Sequence, residues 1–133
     1  MSWIRYIIAF ALLMHGLAHL SGFFAAWTQA EAGYPARPWL LSKNVMLKSP
    51  IGKVFGLLWP VAAILLAVGG FGLAFGHAWW VNAALVGAGV SLVVILPWLR
   101  SVPPGAWAGA VFDLLILLSL AGPWKEQVLQ FFS

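Results

Sequence analysis

Four apolar runs, residues 3–27, 51–75, 78–99 and 105–122, take up most of this chain. A helix needs about 20 predominantly apolar residues to cross the hydrocarbon of a bilayer, and each run is close to or above that length. Backbone N–H and C=O groups facing lipid must be satisfied within their own segment, so the runs are read as helices. Only 8% of the residues are charged and 63% are hydrophobic, whereas an ordinary soluble domain has roughly a quarter of its residues charged. The expected fold is an all-α membrane protein: one transmembrane domain over residues 1–133, four helices in a bundle, and a short interfacial segment between the first two. The lipid bilayer is then its first partner.

The first run could be taken for a secretory leader, with Ala25-Ala26 as the cleavage site, but it is longer than a leader's apolar core of about 7–15 residues and is read as a retained span. Only Gly76 and His77 separate the second and third runs, which makes those helices antiparallel neighbours joined by a tight turn. Pro97, Pro103 and Pro104 end the third helix and let the fourth begin. The connection 28–50 is turn-rich around Pro35 and Pro38. Residues 39–47 then mix Leu40, Leu41, Val45 and Met46 with Lys43, which fits a short helix lying in the headgroup layer or, equally, an irregular surface loop. Ser49-Pro50 reads as an N-cap followed by proline in the first helical position.

The formal charge is +4, but the basic residues stand singly along the chain, which argues against nucleic acid as a partner. They serve better as topology signals. Arg37, Lys43, Lys48, Lys53 and Arg100 fall at one side of the expected bundle, Arg5 and Lys125 at the other. Positive residues favour the cytoplasm, so both termini are expected outside it, in a bacterial inner membrane. Tryptophans mark the span ends: Trp3, Trp79, Trp80 and Trp124 at one interface, and Trp27, Trp39, Trp98 and Trp107 at the other. Trp59 alone sits deeper. The chain has no cysteine, hence no disulfide, thiolate ligand or cysteine nucleophile.

Lipid tails are as apolar as leucine, so these helices must associate through close approach of small residues and through scattered polar bonds. In the second run Gly56, Pro60, Ala63, Ala67, Gly70 and Ala74 recur at steps of four and three along one face. Ala11, His15, Ala18, Gly22 and Ala25 do so in the first, beside Gly16; Ala83, Gly87 and Ser91 in the third; and Gly105, Gly109 and Asp113 in the fourth. Gly16, Gly22, Gly56, Gly70, Gly87, Gly105 and Gly109 are accordingly expected to pack helices together.

Two of these lines carry the ionisable residues. An ionisable group at bilayer depth costs on the order of 3 kcal/mol or more, which makes His15, His19 and Asp113 the candidate site. His19 and Asp113 each lie eight residues in from the same side, Trp27 and Gly105 respectively, or roughly 12 Å deep, with His15 one turn further. His19 or His15 can therefore meet Asp113 if the first and last helices touch. Three readings stand open: an interhelical bond that fixes register, a site that binds or relays a proton or polar ligand, and a metal site in which two histidines four apart and a carboxylate supply three ligands. A cofactor held by a single histidine also fits, whereas a bis-histidine haem does not, because His77 falls in the interfacial turn.

Catalytic arrangements are scarce. A second intramembrane carboxylate is lacking, Ser21, Ser91 and Ser119 lie on helices without a nucleophile turn, and Gly69-Gly70-Phe71-Gly72 is mid-span rather than a phosphate loop. The sequence leans away from an enzyme. Small multidrug transporters have four spans in about this length, but they carry a glutamate in the first, and this first run has no acidic residue.

His15-Gly16-Leu17-Ala18-His19-Leu20-Ser21-Gly22-Phe23 resembles the opening of a group of small bacterial four-span membrane proteins of unknown function that share an HGxxHLxGF pattern in the first span. In that group an asparagine is common where this chain has Asp113. The resemblance implies a four-span bundle and singles out His15, Gly16, His19 and Gly22; it implies no activity. Two functions are expected of such a chain: a non-catalytic accessory or assembly subunit that packs against itself or a larger membrane partner, or an intramembrane His/Asp site for a proton, metal or small cofactor.

Overall fold

The structure, a computed structural model, describes residues 2–30, 34, 40, 42–99 and 105–132. Among these the protein is helical, with no strand: α1 Ser2–Trp27, α2 Pro50–Ala74, α3 Trp80–Ile95 extended by a 3-10 turn Leu96–Trp98, α4 Gly105–Ala121 and α5 Lys125–Phe132. α1, α2 and α3 with its extension are long and apolar enough to cross a membrane. α4 is 17 residues long, or about 25 Å at 1.5 Å per residue, and reaches spanning length only together with α5, which bends away by 95°.

The small-residue faces bring the backbones together. A Cβ added to Gly16 would lie 2.8 Å from the Ala63 carbonyl oxygen, and one on Gly70 would lie 2.8 Å from that of Ala9, so α1 and α2 touch backbone to backbone at two levels. On the other side of α2, a Cβ on Gly87 would lie 3.0 Å from the Leu66 amide. α2 thus stands between α1 and α3. Gly22 and Gly56 are equally occupied, by the Trp59 ring and by Ala26. Gly105 differs from these: among the described residues nothing lies within 4 Å of a Cβ placed there. Leu12, Leu66, Leu73, Ala84, Ile116 and Leu120 fill one layer of the core, and Trp59, Val94, Ile95, Leu99 and Ala110 the next.

Local chemistry sets the helix ends. Ser49 caps α2 by accepting from the Gly52 amide at 3.2 Å, with Pro50 opening the helix. α2 closes on a Schellman turn: the His77 amide reaches the Gly72 carbonyl at 2.8 Å and the Gly76 amide that of Leu73 at 3.2 Å, with Gly76 at φ +73°. The hairpin linker is therefore longer than the two residues expected, because Phe75, Ala78 and Trp79 belong to it rather than to the helices. α3 stops at Ile95 and the chain continues as a 3-10 turn, since Pro97 has no N–H to donate to the preceding turn of an α-helix.

Of the two alternatives for the connection between α1 and α2, residues 42–49 take the irregular one and form turns: Ser42 accepts from the Asn44 amide at 3.1 Å and Ser49 donates to the Met46 carbonyl at 2.7 Å, local bonds that compete with helix formation. Residues 35–39 and 41, including Trp39, lie outside the described part. Trp80 and Trp98 are buried in the bundle instead of anchoring an interface, and Trp98 packs on Ala25, Ala26, Leu47 and Phe55. α5 was not foreseen. Its Val128, Leu129 and Phe132 pack on the first core layer, Phe132 edge-on to Trp80 at 5.9 Å, while Lys125 and Glu126 are exposed.

Candidate functional site

α1 and α4 meet at His15. Gly109, one turn before Asp113, faces the imidazole so closely that a Cβ there would lie 2.9 Å from Cε1, and Phe112 packs edge-on at 5.4 Å. This contact brings Asp113 to His15: Nε2 and Oδ1 are 2.9 Å apart. Between the two partners open in the sequence, the structure pairs Asp113 with His15. His19, one turn away, sends Nδ1 to the His15 carbonyl at 2.8 Å and Nε2 to Ser91 Oγ at 2.7 Å. Ser91, on α3, is hydrogen-bonded in turn to Asp113 Oδ2. The four groups form one chain of bonds through three helices, and His19, Ser91 and Asp113 are buried.

The supply of hydrogens limits how the four contacts can be made at once. A carbonyl can only accept, so His19 Nδ1 carries hydrogen. The His19–Ser91, Ser91–Asp113 and Asp113–His15 contacts each need one more, which makes four hydrogens for four bonds. Two neutral imidazoles, a hydroxyl and a bare carboxylate together supply only three. Were all four contacts hydrogen bonds at once, the cluster would hold one further proton and be uncharged as a whole, the state a low-dielectric interior favours. In one arrangement the proton is on His19, which donates to Ser91 while Ser91 donates to Asp113. In the other, Asp113 donates to Ser91 and Ser91 donates to His19. Each turns into the other by two coupled proton shifts, His19 Nε2 to Ser91 Oγ and Ser91 Oγ to Asp113 Oδ2, and in both His15 Nε2–H donates to Asp113 and leaves a lone pair on Nδ1.

As a metal centre the same residues fit less well. The ligand atoms of His15, His19 and Asp113 lie within 4.8 Å of one another. Zinc–nitrogen bonds of 2.0–2.1 Å in a tetrahedron place ligands only about 3.3 Å apart. Both nitrogens of His19 and both oxygens of Asp113 are also already bonded to protein, so an ion would have to break the chain of bonds to bind.

Beside the cluster lies a pocket of 170 Å³, bordered by His15, Ser21, Tyr34, Trp59, Ile95 and Gly109 among others. Ser21 donates to the Ala18 carbonyl at 2.6 Å, so the Tyr34 hydroxyl, 2.7 Å away, donates to Ser21. Burial pushes the Tyr34 phenol above its ordinary pKa and keeps that hydrogen in place at neutral pH. Trp59 is 3% exposed, and its indole N–H is buried with no acceptor among the described residues.

No protein-family model, curated protein or solved structure matches this chain.

Ser91 and Trp59 are the residues that sequence reasoning passed over. Ser91 stands one turn after Gly87 on the packing face of α3, a hydroxyl on a line of small residues aimed at a neighbouring helix. Trp59 was the one tryptophan away from a span end. Either could have been added to the site on those grounds.

Proposed function

We propose that this protein crosses a bacterial inner membrane four times, α4 being the last crossing and both termini lying outside the cytoplasm, and that it holds a proton in the His15–Asp113–Ser91–His19 cluster for exchange with a polar ligand in the adjoining pocket. The proton count carries this reading: four hydrogen bonds need one hydrogen more than an ionised carboxylate and two neutral imidazoles possess. An isolated register-fixing bond requires only one donor and one acceptor. Here three helices contribute to a single connected chain, and one end of it, His15 Nδ1, is left with a lone pair at the pocket. The excess of basic residues at one end of the spans supports the orientation.

Nitrogen-15 NMR of labelled histidines together with carbon-13 NMR of the labelled Asp113 carboxyl, on the protein in lipid nanodiscs at neutral pH, tests the count. The expected spectrum has either one doubly protonated imidazole from α1, or two singly protonated ones together with a protonated Asp113 carboxyl. Two singly protonated imidazoles beside an ionised carboxylate would overturn the reading.

A second reading, an assembly subunit that packs against its own copies or a larger membrane partner, is favoured by the outer face of α1. Trp3, Ile7, Phe10, Met14 and Leu17 are all about half exposed or more, a ridge that lipid alone or another helix covers. Native mass spectrometry in mild detergent is expected to give a defined oligomer on this reading, and a strict monomer excludes self-association.

A further inference from the structure

α1 and α4 touch at His15 and Asp113, and on the α5 side of that contact a wedge of 450 Å³ opens between them, within the roughly 300–1,000 Å³ of ordinary ligand cavities. Leu12 and Phe112 border its deep end, Ile8 and Ile116 its middle, and Phe131 of α5 its far end. The described residues around it are apolar or aromatic apart from Ser119 and Gln127. Leu115 and Phe131, on its border, are 55% and 39% exposed, so the wedge is open at its side. With α4 crossing the membrane, acyl chains run there.

The two polar residues stand together toward α5. Ser119 lies six residues beyond Asp113, about 9 Å along α4, and Gln127 is on α5. Ser21 and Thr28 return their hydroxyl hydrogens to carbonyls of their own helix, the usual resort of such a group in a helix. Ser119 does not: neither it nor Gln127 has a hydrogen-bond partner among the described residues. Ser119 is half-buried with its oxygen not sealed off by protein, and Gln127 is exposed. A molecule that matches has an apolar chain for the deep part of the wedge and, at the end of that chain, an oxygen that accepts from a hydroxyl and an amide. Each chain of a bilayer phospholipid ends in such a group, an ester carbonyl, which accepts and cannot donate. The level also agrees, since Ser119 lies within a turn of the end of α4, where hydrocarbon gives way to headgroups. Lipid tails are as apolar as the wedge walls, so the chain alone gives little preference for one lipid over another. The polar pair supplies it.

We infer that the wedge between α1 and α4 holds one acyl chain of a bilayer phospholipid, the ester carbonyl of that chain accepting from Ser119 Oγ–H and Gln127 Nε2–H. The inference rests on α4 crossing the membrane and is independent of the proton cluster.

Native mass spectrometry of the full chain in mild detergent tests it, with equal amounts of dioleoylphosphatidylcholine and its dialkyl ether analogue, which keeps headgroup and chains but lacks the ester carbonyls. Retention of one lipid per chain is expected, the ester preferred about fivefold, the equivalent of one hydrogen bond. Ser119→Ala is expected to bring ester and ether close to equal, and Gln127→Leu, at an exposed position, to lower the preference in the same direction. Ser119→Phe, which puts a ring into the wedge, is expected to abolish retention. No retained lipid in the wild type, equal retention of ester and ether, an unchanged preference in Ser119→Ala or undiminished retention by Ser119→Phe overturns the inference. The crossing is read separately. The chain has no cysteine, so Gly105→Cys and Trp124→Cys, at the two ends of α4, are labelled in intact spheroplasts with a membrane-impermeant maleimide, and only Trp124→Cys is expected to react. Reaction at a single end without any retained lipid overturns the inference and leaves the crossing; reaction at both ends overturns the crossing and the inference with it.

Discussion

Asp113→Ala is expected to destabilise the bundle by about 3 kcal/mol, whereas Asp113→Asn is expected to stay within about 1 kcal/mol of wild type. Alanine removes the acceptor for His15 and the partner of Ser91 in a part of the protein where water does not replace them. Asparagine completes the same chain: its oxygen accepts from His15 Nε2–H, its amide donates to Ser91, Ser91 donates to His19 and His19 donates to the His15 carbonyl. It thus imitates the arrangement in which Asp113 carries the proton, with both imidazoles neutral, but it has no proton to exchange. Unfolding midpoints in a denaturing-detergent titration measure the two variants. If asparagine is as damaging as alanine, a permanent negative charge is required at this position and the neutral cluster is wrong. If asparagine is stable and functionally silent, the exchangeable proton rather than the bond is what the site provides.

Gly22→Ala is the second large effect. A Cβ on Gly22 would lie 2.2 Å from Cδ2 of the Trp59 ring and within 2.6 Å of two further ring carbons. The ring is held by Val94, Ile95 and Ala110 and has little room to move. Overpacking of this kind costs about 1–3 kcal/mol, and because Trp59 walls the pocket, the same change is expected to disturb ligand binding. At Gly105, where an added Cβ meets nothing among the described residues, alanine is expected to be neutral. The pair of variants, compared by thermal denaturation in nanodiscs, separates glycine needed for approach from glycine that merely occupies a helix end. Equal behaviour of the two would mean that α1 and α2 do not touch as described.

Much of this was legible in the residues. The small-residue line of α2 identified the face that meets α1, and Ser49-Pro50 placed the start of that helix, because both signals are local and depend on spacing within one element. His15 and Asp113 pointed at each other for the same reason: each lies on the packing line of its own helix. Which histidine meets Asp113 was not legible. Depth counted from span ends carries an uncertainty of about one turn, 5.4 Å, and His15 and His19 differ by that amount. The choice is made by Gly109, whose missing side chain lets the His15 ring lie against α4. Ser91 entered as a small residue and proved to be the link between the two acid–base groups, a role that requires three helices in place before it exists. α5 was missed because its apolar residues are few and form a face only when 128, 129 and 132 are considered together.

The chain of bonds from His19 through Ser91 to Asp113 passes from α1 by way of α3 to α4. A full elementary charge carried across a membrane at 100 mV gains about 2.3 kcal/mol, but a step of no more than about 5 Å within a core of roughly 30 Å gains at most a few tenths. Transmembrane voltage is therefore nearly powerless over where that proton resides. On the proposed reading its position answers instead to what enters or leaves the neighbouring cavity.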